Sequence, residues 1–139
     1  MKVYKTKSSK YSGTKYSEVY KPAFVYYKTI KRKSKRKSYI KSAYFKKDKI
    51  FLELFWKRIW DNNNLSDKTR RLKYFKCGVE LIENSKFEPI SKQNVNRSNE
   101  ILHRFAGTTK QNDLFYVHIK EDKKTDEKWS MSIFPIEDK

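Results

Sequence analysis

Glycine, proline and cysteine are almost missing from this chain: three, three and one in 139 residues. A phosphate-cradling loop needs clustered glycines, so that backbone amides can approach a phosphate unhindered by Cβ, and Walker-type or dinucleotide-binding loops are therefore excluded. Cys77 stands alone, which rules out an internal disulfide and a thiolate metal cluster. The nucleophile-elbow pattern GxSxG and the zinc pattern HExxH do not occur. No apolar run approaches the roughly 20 residues that span a bilayer, and neither a secretory leader nor a myristoylation signal is visible. A cytoplasmic protein without a membrane partner is expected. Acids are scarce too, at 16 against 34 Lys and Arg. Glu121, Asp122, Asp126 and Glu127 fall among lysines at an expected hairpin tip, the usual look of a solvated turn, so no metal and no cofactor are expected.

Positive charge is what the chain has in excess, a net of +18, and it is unevenly spread. Residues 1–47 carry sixteen Lys or Arg against the single acid Glu18, and residues 48–139 carry eighteen against fifteen. The first segment is thus +15 and the second +3. Such density attracts phosphate backbones, because each neutralised phosphate releases condensed counterions. Eight of the ten tyrosines lie in the same segment, interleaved with lysine. Tyrosine offers a ring for base stacking and a hydroxyl for phosphate, so the mixture suits RNA. The expected contacts are the run Lys31, Arg32, Lys33, Lys35, Arg36 and Lys37 with Tyr26, Tyr27 and Tyr39. A merely solubilising tail is the blander reading of the same residues. No sustained period is evident here, so residues 1–47 are expected to be a largely irregular nucleic-acid-binding extension, with AFVYY (23–27) as a short strand at most.

From Asp48 the pattern changes. Phe51, Leu54, Phe55 and Ile59 recur at helical spacing and predict a helix over 49–61; Leu72, Phe75, Val79 and Ile82 predict a second over 67–85. Arg70 and Arg71 give that helix a basic shoulder for nucleic acid. Gly78 within it permits close packing. A short strand is expected at Phe87–Ile90, followed by a polar loop over 91–99. Three strand-like runs follow, at 101–109, 113–121 and 128–136, joined by connectors of hairpin length. The expected fold is α+β: two helices packed on a three- to four-stranded antiparallel sheet, in a domain spanning 48–139. Period two puts Phe115, Val117 and Ile119 on one face and Tyr116, His118 and Lys120 on the other. In the last run Trp129, Met131 and Ile133 should be the greasy set, with Ser130 and Ser132 opposite. His103 shares its side with Ile101 and Phe105 and reads as a core or half-buried histidine; for His118 a functional and a bland role weigh evenly.

The stretches LHRFAGTT, FYVHIKED and WSMSIFP, in this order after two helices, resemble the small ribonucleases of the barnase, EndoU, colicin and RelE superfamily and their phage-associated relatives. The resemblance covers about residues 48–136 in outline and 101–135 in motif. It implies a sheet whose polar face cleaves RNA without metal, and it puts His118, Lys120, Arg104 and Ser132 where RNA would lie. Toxin-like members of that group also imply a protein inhibitor, or antitoxin, as a partner. The long basic segment departs from their compact pattern. Three functions stay open: a metal-independent endoribonuclease, a non-catalytic RNA- or ribosome-binding protein, and a DNA-binding phage accessory protein.

Overall fold

In the computed structural model, which describes residues 2–136, three nine-residue strands form the frame. These are β5 (Glu100–Thr108), β6 (Leu114–Asp122) and β7 (Glu127–Pro135), an antiparallel meander in which Phe115, Val117 and Ile119 point inward and are essentially unexposed. The alternation of β6 is therefore as its sequence predicts. That of β7 changes hand midway, because a bulge falls opposite His118 and Ile119. His118 pairs with Ser132, whereas Ile119 pairs with Ser130, and Met131 is the extra residue. An inserted residue moves the following side chains to the other face. Ile133 is inward as expected, but Ser130 and Lys128 also turn inward and are buried, while Trp129 and Met131 are only half-buried.

Among the described residues four helices and seven strands are present, more than the two helices and three to four strands that the periodicity predicts; the α+β class holds. Much of the addition comes from residues 1–47, which are not irregular. They supply β1 (Val3–Lys5), α1 (Tyr16–Lys33) and β2 (Tyr39–Lys41). β1 runs parallel to the end of β5, and β2 pairs with β3 (Lys49–Phe51), which itself runs parallel to β7. The sheet order is β1-β5-β6-β7-β3-β2, with β4 (Ile90–Gln93) also on β5. A division of the chain at residue 47 runs close to the β2–β3 pair, the two strands lying on either side of it.

Helix α1 forms because Val19, Ala23, Tyr27 and Ile30 recur at intervals of four, four and three and are all buried. AFVYY is the middle of this helix, not a strand. The lone acid Glu18 caps its start, accepting the amide protons of Lys15 at 2.9 Å and Thr14 at 3.3 Å. Tyr27 stacks on Trp56 with ring centres 4.8 Å apart, and its hydroxyl meets Ser38 Oγ at 2.8 Å. Glu80 ties down the segment before α1: its carboxylate accepts from Lys7 N (2.7 Å), from Ser8 N and Oγ (3.0 and 2.8 Å) and from the Tyr4 hydroxyl (3.3 Å).

Helix α2 (Glu53–Asp61) starts later than expected because residues 49–51 join the sheet, with Ile50 fully buried there. The expected helix over 67–85 is two helices, α3 (Leu65–Lys73) and α4 (Phe75–Asn84), hinged at Tyr74 where ψ is 5°. Its apolar stripe is as expected: Leu72, Phe75, Val79 and Ile82 are buried. Gly78 lets α4 lie against β7, since a Cβ there would stand 2.5 Å from Ile133 Cδ1. Edge strand β4 begins where the expected strand ends and takes the first residues of the expected polar loop.

Because α1 and two edge strands come from residues 1–47, a chain beginning at Asp48 should show no cooperative unfolding transition in denaturant. Tyr27→Ala should lower stability by about 3–5 kcal/mol, the usual loss for a large core aromatic. A variant that kept full stability and lost only RNA affinity would return Tyr27 to the surface role expected from sequence.

Candidate nucleic-acid site

On the face of the meander opposite the core, register aligns three residues in a row: Arg104 on β5 pairs with His118 on β6, which pairs with Ser132 on β7. Arg104 Nε donates to His118 Nε2 at 3.1 Å, so Nδ1 carries the imidazole hydrogen and points it at Ser132 Oγ, 3.4 Å away. Aromatic rings fix both groups. The Phe134 ring meets the imidazole edge-on with centres 5.0 Å apart, and the Arg104 guanidinium lies over Tyr116 at 4.8 Å.

Two further arginines reach this row from the helices beside β7. Arg71 of α3 lies over the Phe134 ring at 5.3 Å and is held by Asp67, whose Oδ2 accepts from Nε at 2.9 Å. Burial pushes the Asp67 carboxyl up, but donors on Asn62, Arg71 and Arg70 outweigh it and keep it ionised. Arg58 projects from α2 into a cleft of about 400 Å³ whose polar lining also includes Asp61, Asn62, Asp67, Arg71 and Ser132. Burial, then the charges of Arg104, Arg71 and Arg58, lowers the His118 pKa to about 4. At neutral pH the site is thus an uncharged imidazole among guanidiniums, able to attract an anion and to accept a proton.

The residues expected from sequence therefore separate. Arg104, His118, Ser132 and Arg71 come together. Lys120 is on the same face but engaged elsewhere, 3.7 Å from the Glu100 carboxylate and 5.5 Å above the Trp129 ring. Arg70 bonds Asp67 at 3.2 Å. Lys31, Arg32 and Lys33 end α1 and Lys35, Arg36 and Lys37 follow it, all exposed as a nucleic-acid contact requires. Among the tyrosines Tyr27 is the correction. Tyr27 is core, Tyr26 is half-buried against Phe75 beneath Lys76, and Tyr39 is half-buried against Phe51 beneath Lys49. Their rings pack the fold, and Tyr27 in particular presents no face to a base. Arg58 was not signalled by the sequence: its distance from the Phe55–Ile59 stripe says only that it is outward, and the neighbour it meets is set by tertiary packing.

His103 is buried, as its side of the strand implies. Ser91 Oγ meets its Nδ1 at 2.6 Å and Glu121 Oε1 meets its Nε2 at 2.7 Å. Glu121 is thus part of β6 rather than of the hairpin tip. Buried Lys128 continues the chain, 3.6 Å from Glu121 and 2.9 Å from Asp48. Burial pushes the Lys128 ammonium down, and the carboxylates of Asp48 and Glu121 outweigh that. Ser91 stands on exposed edge strand β4 and Glu121 is already matched by Lys128, so this row is a polar clamp across four strands. Among the described residues no group of three or more His, Cys, Asp or Glu side chains is arranged to hold a metal ion, and no helix is long and apolar enough to cross a membrane.

An unperturbed histidine titrates near 6.5, and His118 near 4. The unfolded chain takes up a proton that the folded chain refuses, so stability falls as pH drops from about 6.5 towards 4. Urea unfolding across that window should show this slope, and His118→Gln should flatten it; an identical slope in the variant would mean that His118 is not held neutral by its surroundings. Comparison with known proteins finds no matching family model, no matching curated protein and no matching solved structure.

Proposed function

We propose that the protein binds RNA and cleaves it without metal, by attack of a ribose 2′-hydroxyl on the adjacent phosphodiester. The observation that carries this reading is the geometry round His118: Arg104 bonds its imidazole, Arg71 lies over the Phe134 ring that packs against it, and Arg58 lines the cleft of its neighbour Ser132. His118 Nε2 takes the 2′-hydroxyl proton as the 2′-oxygen bonds to phosphorus. The arginines stabilise the charge that builds on the non-bridging oxygens. The bond from phosphorus to the 5′-oxygen then breaks, and the imidazolium returns its proton to that oxygen, leaving a 2′,3′-cyclic phosphate and a free 5′-hydroxyl. Ser132 Oγ orients the ring through Nδ1, and Asp67 aims Arg71. Exposed Lys31–Lys37 supply long-range attraction for the strand.

One contact favours a second reading. Arg104 occupies the Nε2 lone pair in the free protein, and if it stays there when phosphate arrives, the cluster clasps RNA without cutting it. A metal-free assay separates the two. With chelator present, RNA should be cut to 2′,3′-cyclic phosphate ends, and a 2′-deoxy residue at the scissile position should stop cleavage. His118→Ala should lower kcat by roughly 10²–10⁴-fold with affinity changed little. The acid limb of kcat/KM should lie near the free-protein pKa of about 4, with activity lost as pH falls through it. Intact RNA at high protein concentration, together with tight binding, decides for the non-catalytic reading.

A further inference from the structure

All eight tyrosines of residues 1–47 are at least half-buried, yet Trp60 at the end of α2 leaves 51% of its surface in solvent. The ring is not loose. Trp56, in the core, supports it at 5.8 Å, and Phe24 of α1, half-buried against that core, at 6.5 Å. Beyond it opens a cleft of about 490 Å³ whose charged lining is Lys31, Arg36 and Lys57 against one acid, Glu53, with Tyr27 and Leu54 as its floor. A fixed, solvent-facing indole beside three cations has the two parts that single-stranded nucleic acid needs: a stacking surface that accepts any base and charges that follow the backbone.

The same helix joins this cleft to the arginine site. Lys57 and Trp60 are three residues apart on one flank of α2, while Arg58 stands on another flank and lines the cleft that Ser132 and Arg71 share. An α-helix with its side chains is about 10–12 Å across, so a strand only a few nucleotides long crosses from one cleft to the other.

We infer that Trp60 stacks an unpaired base of single-stranded RNA while Lys31, Arg36 and Lys57 hold its phosphates, delivering the strand over α2 to the His118 site. The inference rests on the proposed RNA binding and not on cleavage. A base within a duplex is already stacked on both faces and offers Trp60 nothing, so the cleft selects unpaired strands.

The test uses the whole chain and a short unstructured 2′-O-methyl RNA oligonucleotide, which lacks the attacking hydroxyl and so reports binding alone, with a duplex of the same length beside it. Trp60→Ala should weaken single-strand binding roughly 5- to 150-fold, the range for loss of one stacked base, and Trp60→Phe should restore much of it. Duplex affinity should be unchanged by either. Lys57→Ala and Arg36→Ala should each lower the slope of log affinity against log salt by about 0.7, whereas Trp60→Ala should leave that slope alone. Single-strand binding that survives Trp60→Ala in full overturns this inference and leaves RNA binding standing, the exposed ring then marking a protein contact. Equal losses for strand and duplex overturn it as well. Wild-type protein that binds neither RNA at low salt overturns both this inference and the function it rests on.

Discussion

Nine consecutive residue pairs hold β5 to β6, from Glu100 opposite Asp122 to Thr108 opposite Leu114, and this ladder decides which side chains meet. With side chains alternating between faces, a slip of one residue would send Phe115, Val117 and Ile119 to the outer face and His118 into the core. The apolar set can be buried in one phase only. That phase puts Arg104 beside His118 outside and His103 within reach of Glu121 inside. The β7 bulge then makes the pairing usable from both sides: Ser132 keeps its place opposite His118, while past Met131 the strand turns Lys128 inward to meet Glu121 and Asp48. The outer row and the inner clamp are thus two results of one register.

What could be read in advance follows from how local each signal is. The β6 alternation, the stripe Leu72–Phe75–Val79–Ile82 and the buried His103 depend on period alone, and sequence is enough for them. The β7 bulge has no such mark, since Met131 looks like any member of an alternating strand. Helix α1 was hidden for a different reason. Its stripe is Val19, Ala23, Tyr27 and Ile30, in which an alanine and a tyrosine take the place of the usual large aliphatics, Pro22 interrupts the pattern, and Tyr20, Phe24, Val25 and Tyr26 blur the contrast between faces. A tyrosine is also ambiguous by nature: the ring that stacks on a base stacks equally well on Trp56, and its hydroxyl accepts either a phosphate or Ser38 as partner. Composition cannot choose between these uses. The position of Arg58 beside the His118 row depends on how α2 packs along β7, a relation between distant segments that no local pattern encodes.

Folding α1 changes the meaning of the chain's charge. Sixteen Lys and Arg on a disordered tail would attract a polyanion but would have to be ordered on binding, at a cost in conformational entropy for each immobilised residue. On the end of a helix that is anchored through Tyr27 and Ile30, the Lys31–Lys33 group is already positioned before any partner arrives. The cations in its last turn also meet the negative end of the helix dipole, so they support the fold that presents them. Charge and fold cannot be separated here by cutting the chain, because Lys31, Arg32 and Lys33 share a helix with residues that fill the core.

The arginines around His118 impose opposite demands in the free and occupied states. Without an anion, their charges add to burial in disfavouring the imidazolium, and Arg104 covers Nε2 with a donated hydrogen bond. The imidazole is then a weak base with its lone pair engaged. Under the proposed function a phosphodiester entering the cleft changes both terms at once. Its negative oxygens draw Arg104 away from Nε2 by offering the guanidinium an anionic acceptor in place of a neutral one, and the same charge offsets the guanidiniums that had suppressed protonation. The base becomes free and stronger only when the group it must act on is present. A lysine in place of Arg104 would keep the charge but lose the planar fork that can hold two phosphate oxygens at once after leaving the ring, so under this mechanism charge alone does not replace the arginine paired with His118 across β5 and β6.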